Sequence, residues 1–232
     1  MKKITVSEKI KAACPDLQIG VLSASIVNSL PDERLWEEIE TFAAGFRSRY
    51  RIEDINKRPA IRCTREAYKA TGKDPNRYRP AAESLCRRIV RGLPLYKVNT
   101  AVDLINLVSL HTGYSIGGFD EDKIQGELVL GIGTEGETYR GIGRGELNIA
   151  GLPVYRDAIS GIGTPTSDEE RTKIGLDTTQ LLMIINAYSG AEGLEEAITF
   201  AAALLKKYVS AHALTCQRIE KGKTTDFALN KD

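Results

Sequence analysis

The sequence has few of the residues that hydrolytic enzymes and metal sites commonly use. Only two of its 232 residues are histidines, His111 and His212, so a Ser/His/Asp relay would have to be built on one of them. No CxxC pair occurs, which argues against a zinc ribbon. We expect neither a metal ion nor a cofactor, and we expect reduced thiols in or near the core. The cysteines are Cys14, Cys63, Cys86 and Cys216.

Long apolar runs are also missing. No run approaches the roughly 18 residues that a membrane helix needs, and Glu8 and Lys9 interrupt the amino-terminal segment that a signal peptide would use. We therefore expect a soluble, cytoplasmic protein. A hydrophobic content of 42% still supplies a substantial core. We predict one domain over residues 1–232, with a strand and helix extension (1–74), a core (75–210) and a polar tail (211–232).

The net charge of +1 conceals an uneven distribution of charge along the chain. Residues 1–100 carry 20 basic and 12 acidic side chains, whereas residues 101–200 carry 6 basic and 16 acidic ones. Within residues 47–97 there are 15 basic and 5 acidic side chains. A chain polarised in this way can present a basic face to a polyanion although its average is neutral. The alternative is that these charges are spread around solvated helices.

Apolar periodicity predicts helices in the first half of the chain and short strands in the second. The predicted helices cover 59–70, 80–92, 99–113 and 193–210, and a further one opens near Pro31 with Ser29 or Asp32 as its cap. The predicted strands are 4–6, 19–26, 127–132, 137–140, 153–157 with its continuation 158–162, and 181–186. This order favours an α+β fold, in which a helical amino-terminal part packs on an antiparallel or mixed β-sheet and a helix closes the core.

Asp103 and Asn106 are polar residues on an otherwise apolar helix, and their spacing of three places them on one side of it. Burying either group without a partner would cost about 1–3 kcal/mol. In one interpretation they form the floor of a pocket, where Gly117 and Gly118 let the backbone pass close to a ligand; the simpler alternative for the two glycines is a turn with positive φ. In the other, Asp103 caps a neighbouring element and Asn106 braces a loop.

The loop 164–168, Thr-Pro-Thr-Ser-Asp, is a second candidate wall of a site. The hydroxyl groups of Thr164, Thr166 and Ser167 are suited to orienting a water molecule. The alternative is an ordinary turn in which Ser167 or Asp168 caps the segment that follows.

A basic segment with interleaved tyrosines is the candidate nucleic-acid contact. Tyr78 and Tyr96 flank the arginines, and such a mixture suits stacking on unpaired 3′ nucleotides. The alternative is a helix whose arginines form salt bridges with Glu83 and the acidic middle of the chain. The candidate residues are Arg77, Arg79, Arg87, Arg88 and Arg91.

Several segments together resemble a known family. They are 79–85 with 87–89, 93–94, 99–126, 136–138, 145–146, 154–157, 167–168 with 171–173, and 177–179. With them the chain resembles the editing domain (B3/B4 domain) of the phenylalanyl-tRNA synthetase beta subunit, and the free-standing proteins built from that domain. The resemblance covers roughly residues 75–190 and is most specific over 99–126. It implies a B3/B4 fold, and because the chain is too short for the synthetase's other domains we expect a free-standing version.

The activity that the resemblance implies is hydrolysis of the ester between a wrong amino acid, tyrosine in the synthetase, and the 3′ adenosine of tRNA. The ester is labile, so positioning a water molecule and stabilising an oxyanion can suffice. Two positions depart from the family. Gly117 stands where the family has histidine, and Ile185 falls where it has the glutamate that reads the tyrosine hydroxyl. A pocket with isoleucine there does not hydrogen-bond a phenol, so we do not expect tyrosine specificity unless a shift of one residue brings Asn186 into that place.

Two hypotheses from different classes follow. The first is a trans-acting aminoacyl-tRNA deacylase that binds the tRNA acceptor end. The second is a non-catalytic module that binds tRNA, an amino acid or a small metabolite in the same pocket. A third option is a degenerate domain kept as a partner surface. The predicted catalytic residues are Asn99, Asp103, Thr164, Thr166 and Ser167. The predicted substrate-binding residues are Thr100, Asn106, Gly117, Gly118, Ile185 and Asn186.

Overall fold

The computed structural model of the chain describes residues 1–229, which form six α-helices and eleven β-strands. The helices are α1 (Glu8–Ala13), α2 (Glu33–Arg49), α3 (Pro59–Ala70), α4 (Ala81–Val90), α5 (Thr100–Thr112) and α6 (Leu194–Val209). The strands are β1 (Ile4–Val6), β2 (Gln18–Ser25), β3 (Ile116–Asp120), β4 (Leu128–Ile132), β5 (Arg140–Gly141), β6 (Gly145–Glu146), β7 (Pro153–Arg156), β8 (Gly161–Gly163), β9 (Gln180–Ala187), β10 (His212–Glu220) and β11 (Lys223–Asp226). The predicted α+β class is confirmed.

The strands form two larger sheets and one small hairpin. The five-stranded sheet has the order β11-β10-β2-β9-β3, and all of its neighbouring strands are antiparallel. The four-stranded sheet has the order β1-β4-β7-β8, in which only β1 and β4 run parallel. Strands β5 and β6 pair with each other as a short hairpin. The sheets are therefore mixed and antiparallel, as expected.

The five-stranded sheet is covered on both of its faces, as β9 shows. Leu182 and Ile184 of this strand belong to the core between the two sheets, whereas Met183 and Ile185 belong to the core beneath the helices. Successive side chains of a strand point to opposite faces, so a strand covered on both sides has to be apolar throughout. The fold consists of a helical layer, the five-stranded sheet and the four-stranded sheet. Truncating Met183 to alanine would cost about 2–5 kcal/mol of stability.

Helix α5 lies in the helical layer against the edge strand β3. Asn99 caps its start, because its Oδ1 accepts a hydrogen bond from the Val102 N–H at 3.0 Å. Gly113 ends it in the left-handed region with a φ of 82°, where glycine carries no steric penalty. Since α2, α4 and α6 also pack against it, α5 is buried almost all round. These contacts fix the directions in which Asp103 and Asn106 project.

The predicted helices correspond closely to the observed ones. Helix α3 begins and ends at the predicted residues. Asp32, rather than Ser29, caps α2: its Oδ1 accepts from the Arg34 N–H at 2.9 Å and the Leu35 N–H at 3.1 Å. An aspartate at this position also complements the positive end of the helix dipole.

Two strand predictions in the glycine-rich part of the chain are wrong. Of the strand predicted over 137–140, only its end survives, in β5. The Glu137 carboxylate accepts hydrogen bonds from the Arg156 guanidinium and from the Thr134 N–H, which closes a turn instead. The continuation predicted over 158–162 is interrupted after β7. There the Asp157 carboxylate accepts from two backbone N–H groups that follow it, which reverses the chain before β8.

The expectation of a polar tail is wrong for residues 212–226, which form β10 and β11. Strand β10 pairs along the length of β2 and buries Cys216 and Ile219. Its other side chains are mostly polar and partly exposed, so the strand presents too weak an apolar alternation to be read from the sequence. Helix α6 is therefore the last helix but not the last element. The end of the predicted tail, 230–232, lies outside the described residues.

Candidate functional site

An open cleft of about 390 Å³ runs along α4. Its walls come from α4 and the residues before it, from the segment 92–98 that follows, from α5, and from the turn between β5 and β6. Among the described residues, five arginines and no acidic residue line it. We call it the arginine cleft. Its lining residues are Arg79, Ala81, Ser84, Leu85, Arg87, Arg88, Arg91, Leu93, Tyr96, Asn106 and Arg144.

One of the five arginines is neutralised by an acidic partner. The Arg87 Nε donates to Glu83 at 2.7 Å, and the fully buried Glu83 also accepts from the Arg65 Nη1 at 2.9 Å. This is the salt bridge that the alternative interpretation of the helix predicted. Within residues 1–229 the other four cleft arginines form no ion pair. Their charge is therefore available to an anion that enters the cleft.

The segment 92–98 has no regular secondary structure and carries the aromatic ring of the cleft. Arg88 secures it, because its Nε donates to the Pro94 carbonyl and its guanidinium lies over the Tyr96 ring, 4.1 Å from the centroid. Tyr96 nevertheless remains 69% exposed. One face of the ring is thus free to stack with a planar group.

A smaller, mostly apolar cavity of about 120 Å³ lies beneath this segment. We call it the inner cavity. It shares Leu85, Tyr96 and Asn106 with the arginine cleft, so the two voids meet at these residues. Its remaining lining residues are Trp36, Ile39, Leu95, Val98, Asp103 and Leu110. A charged entrance thus adjoins an apolar interior.

Asp103 and Asn106 both line the inner cavity but differ in their bonding. Asp103, only 1% exposed, accepts from the Trp36 Nε1–H at 2.7 Å and the Val98 N–H at 3.1 Å. Burial raises the pKa of its carboxyl group, although these two bonds and the charge of Lys97 act in the opposite direction. The Asn106 amide forms no hydrogen bond among the described residues and is half-buried where the voids meet. Asn106 is therefore the polar group that a bound molecule can reach.

Asn99 and Thr100 were predicted as site residues, but their side chains form hydrogen bonds that stabilise the start of α5. Besides capping the helix, Asn99 donates from Nδ2 to the Ile174 carbonyl at 3.4 Å. The Thr100 Oγ1 donates to the Leu30 carbonyl and lies 2.8 Å from the Ser29 Oγ. Both residues are buried, and neither lines the arginine cleft or the inner cavity. Their side chains are not available to a substrate in this structure.

The hydroxyl groups of the 164–168 loop are also used internally. The Thr164 Oγ1 accepts from the N–H groups of Thr166 and Ser167, each at 3.2 Å, and so closes the turn. The Thr166 Oγ1 lies 2.8 Å from the Tyr68 hydroxyl, and the Ser167 Oγ donates to the Asp168 carbonyl at 3.2 Å. The following 3₁₀ turn is capped by Glu169 and not by Ser167 or Asp168, which corrects that alternative. The loop forms a turn closed by Thr164, and its cap differs from the one that the alternative interpretation proposed.

Gly117 and Gly118 serve packing rather than a ligand approach. A Cβ atom on Gly117 would lie 2.7 Å from the Phe119 ring, and one on Gly118 would lie 2.6 Å from the Ile105 Cδ1. Real Cβ atoms do not come so close to their neighbours, so these glycines allow β3 to lie tightly against α5 and its own neighbours. The Phe119 ring and the Ile105 side chain already fill the space that any larger side chain at these two positions would need.

Ile185 and Asn186 lie in the core and not in a pocket wall. Ile185 is fully buried beneath the helices. Asn186 points to the opposite face of β9, where its Oδ1 accepts from the Tyr155 hydroxyl at 2.7 Å and its Nδ2 donates to the Ser115 carbonyl at 3.4 Å. A substrate could contact either residue only if the core opened. The shift of one residue that would have brought Asn186 to the ligand places it instead between the two sheets.

The loop and the cleft are nevertheless neighbours. The Pro165 carbonyl accepts from the Ala81 N–H at 2.8 Å, and the position of a Cβ on Gly141 lies 3.2 Å from the Ser167 Oγ and 3.5 Å from the Arg144 Cβ. The loop therefore supports the hairpin that brings Arg144 to the cleft. Arg144 was missed from the sequence; its only signal is a basic residue flanked by glycines in a predicted turn.

The other predicted residues are divided between the cleft and the remaining surface. Four of the five candidate nucleic-acid-binding arginines line the cleft, whereas Arg77 is exposed outside it. His111 packs between Phe42 and Phe200, and neither His111 nor His212 lines the cleft. Over residues 1–229, no group of three or more His, Cys, Asp or Glu side chains is arranged to hold a metal ion. In the same part of the chain, no helix is both long enough and apolar enough to span a membrane.

Comparison with known proteins identifies the family of this fold. A family model described as the B3/4 domain matches residues 63–210, which is more than half of the chain. The chain belongs to the B3/4 domain family. A solved amino-terminal fragment of the phenylalanyl-tRNA synthetase beta subunit from Pyrococcus horikoshii has a similar fold, with a TM-score of 0.55 at 13% sequence identity. The alignment covers 97% of this chain and 54% of that fragment, so this chain spans about half of its length. A search of curated proteins finds no match.

The B3/4 match can be placed on the structure. It begins within α3 and ends just after α6, so the whole arginine cleft falls inside it. The elements outside it are β1, α1, β2, α2 and the β10–β11 hairpin, which supply three strands of the five-stranded sheet (β11, β10 and β2) and one edge strand of the four-stranded sheet (β1). The resemblance found in the sequence is confirmed for the family and the fold.

Proposed function

We propose that this B3/4 protein binds the unpaired 3′ end of a tRNA in the arginine cleft. The observation that carries the proposal is a single cleft with one exposed tyrosine ring and four arginines that have no acidic partner within residues 1–229. Guanidinium groups bind phosphates, often through two hydrogen bonds, and aromatic rings stack on unpaired bases. The cleft is large enough for a few unpaired nucleotides but too small for a double helix.

Family membership supports tRNA as the nucleic acid. The solved structure with the similar fold belongs to a protein named as a tRNA synthetase subunit, and the cleft lies within the B3/4 match. Phosphate contacts of this kind make binding depend strongly on salt. Binding of labelled tRNA, measured by fluorescence anisotropy, tests the proposal. If the affinity does not fall as salt rises, or if an unrelated acidic polymer binds equally well, the cleft is not a tRNA site.

A second candidate function is hydrolysis of the aminoacyl ester of a mischarged tRNA. The observation that favours it is Asn106, whose free amide lies at the junction of the charged cleft and the apolar inner cavity, with the Asp103 carboxylate in the same cavity. An amide N–H there can stabilise an oxyanion, and an amide oxygen can orient a water molecule. The labile ester lowers the demand on the protein.

The hydrolytic candidate is tested with a panel of mischarged tRNAs. We expect at least one of them to lose its amino acid faster with the protein than in buffer, and the Asn106→Ala variant to lose most of that acceleration. Removal of one oxyanion donor typically lowers the catalytic rate by about 10²–10³-fold. If no tRNA is deacylated although tRNA binds, the non-catalytic module is the correct interpretation of the site.

A further inference from the structure

A separate pocket, open to solvent at one end, lies between α1 and the β10–β11 hairpin. Its volume is about 230 Å³. Its walls are apolar and its floor is part of the core between the two sheets, since the side chains that form it are almost completely buried. These residues are Val6, Leu17, Ile19 and Ile219. We call it the α1 pocket.

Two lysines stand at the mouth of this pocket, and no acidic side chain lines it within residues 1–229. Lys11 projects from α1 to the hairpin turn, where its Nζ lies 3.3 Å from the position of a Cβ on Gly222. Lys11 also pairs with the exposed Glu8 at 2.7 Å, whereas Lys221 forms no ion pair in the described part of the chain. The two lysines and Glu8 together therefore leave one net positive charge at the mouth, which matches the charge of a monoanion.

The backbone of Lys221 is unusual for its residue type. Lys221 and Gly222 are the two central residues of the β10–β11 turn, and both have positive φ, at 49° and 80°. Turns of this kind prefer Asn, Asp or Gly at the first central position. A lysine there costs local strain, and such strain is commonly found where a side chain serves a function. The tight turn places the backbone of Lys221 beside the mouth of the pocket.

From these observations we infer that the α1 pocket binds a small amphipathic carboxylate, whose apolar tail fills the pocket and whose carboxylate meets Lys11 and Lys221. The volume sets the length of the tail. A cavity of about 150 Å³ holds the six carbons of benzene, so one of this size holds about six to nine carbons. The ligand class rests on the lining and charge of this pocket and is independent of the nucleic-acid proposal, since none of these residues lines the arginine cleft.

Octanoate is the probe, and octylamine and 1-octanol are its matched controls with the same tail. Isothermal titration calorimetry on the full chain should show one octanoate site, with an affinity at least about tenfold higher than that of either control. Equal affinities for octanoate and octylamine, or for octanoate and octanol, would show that the lysines do not select the ligand and would overturn the inference.

A lysine variant separates binding from folding. Lys221→Asn removes the charge but introduces a residue that the turn prefers, so the protein should remain as stable as before while octanoate binds at least about fivefold more weakly. Lys223→Asn removes the same charge in the same hairpin but outside the pocket lining, and it should weaken octanoate binding by less than about twofold. Unchanged binding by Lys221→Asn would contradict the proposed role of the mouth.

Two cysteines provide an internal test of position. Cys14 lines the α1 pocket, whereas Cys216 lies in the core beneath the helices, and burial raises the pKa of each thiol to about 11. Octanoate should slow the alkylation of Cys14 by iodoacetamide and leave the alkylation rate of Cys216 unchanged. Peptide mass mapping measures both rates. Equal protection of both thiols would mean that octanoate only stabilises the whole fold, and would overturn the assignment of the site.

Discussion

The salt dependence of tRNA binding is the sharpest quantitative consequence of the arginine cleft. Each phosphate contact to a single strand contributes a slope of about −0.7 to the logarithm of the binding constant against the logarithm of salt concentration. The four cleft arginines that form no ion pair in the described part of the chain therefore predict a slope of about −2.8, if each meets one phosphate. Between 50 and 200 mM salt the affinity should then fall by about 50-fold.

The perturbation is the double variant Arg79→Gln and Arg91→Gln. Both side chains are exposed and line the cleft, so their removal should change the free energy of unfolding by less than about 0.5 kcal/mol each. The slope should fall to about −1.4, and the same change in salt should cost only about sevenfold in affinity. Fluorescence anisotropy of labelled tRNA at four or five salt concentrations gives both slopes.

The matched control is Arg77→Gln. Arg77 has the same charge and lies in the same basic segment, but it stays outside the cleft. If the cleft is the binding site, this variant should keep the wild-type slope. A slope made less steep by about 0.7 in Arg77→Gln, the change expected for each arginine of the double variant, would refute the reasoning, because the basic segment would then act as a diffuse charge and not as a built site.

Three further predictions concern single residues. Tyr96→Ala should weaken tRNA binding by about 1–3 kcal/mol in anisotropy titrations, whereas Tyr96→Phe should retain it, since stacking needs only the ring. Glu83→Gln should lower the urea-derived free energy of unfolding by about 3 kcal/mol, because Arg65 and Arg87 lose their buried partner. An unchanged free energy of unfolding would mean that water already solvates these three side chains. Burial raises the pKa of Asp168 to about 7, although its Oδ2 accepts from the Gly118 N–H, and the unfolded value is about 3.9. The folded state therefore binds this proton more tightly than the unfolded state does, and the free energy of unfolding falls as pH rises from about 4 to 7. Asp168→Asn removes the titrating group and should recover up to about 4 kcal/mol of this lost free energy. The gain in urea titrations should be larger at pH 8 than at pH 5, and an equal gain at both would contradict this assignment.

The local elements that periodicity and capping define could be predicted well. Helix α3 was found at its predicted bounds, and the caps of α5 at Asn99 and Gly113 follow from the residue types that satisfy helix ends. The same rules miss β10, because a strand with one exposed polar face has a weak signal and owes its place to β2, nearly two hundred residues away in the chain. Pairing at that distance depends on the tertiary fold and not on local propensity.

The candidate site could be predicted only in part, for a similar reason. Arg87, Arg88 and Arg91 were candidates from the basic segment, but the continuation of the cleft to Arg144 depends on how the β5–β6 hairpin packs on the 164–168 loop. Conversely, the polar residues at the start of α5 and in that loop looked chemically available. In the fold they satisfy backbone groups that would otherwise be buried without partners, and this use of Ser, Thr and Asn competes with any catalytic one.

The most direct test of the central claim compares tRNA with and without its unpaired 3′ nucleotides. The dissociation constant of each is measured by anisotropy at one fixed salt concentration, with the wild-type chain. If the arginine cleft and Tyr96 hold the 3′ end, removal of those nucleotides should weaken binding by at least about tenfold, which corresponds to the loss of one stacked base and its phosphate. Equal binding of the intact and the trimmed tRNA would show that the protein contacts tRNA elsewhere, and would contradict the account.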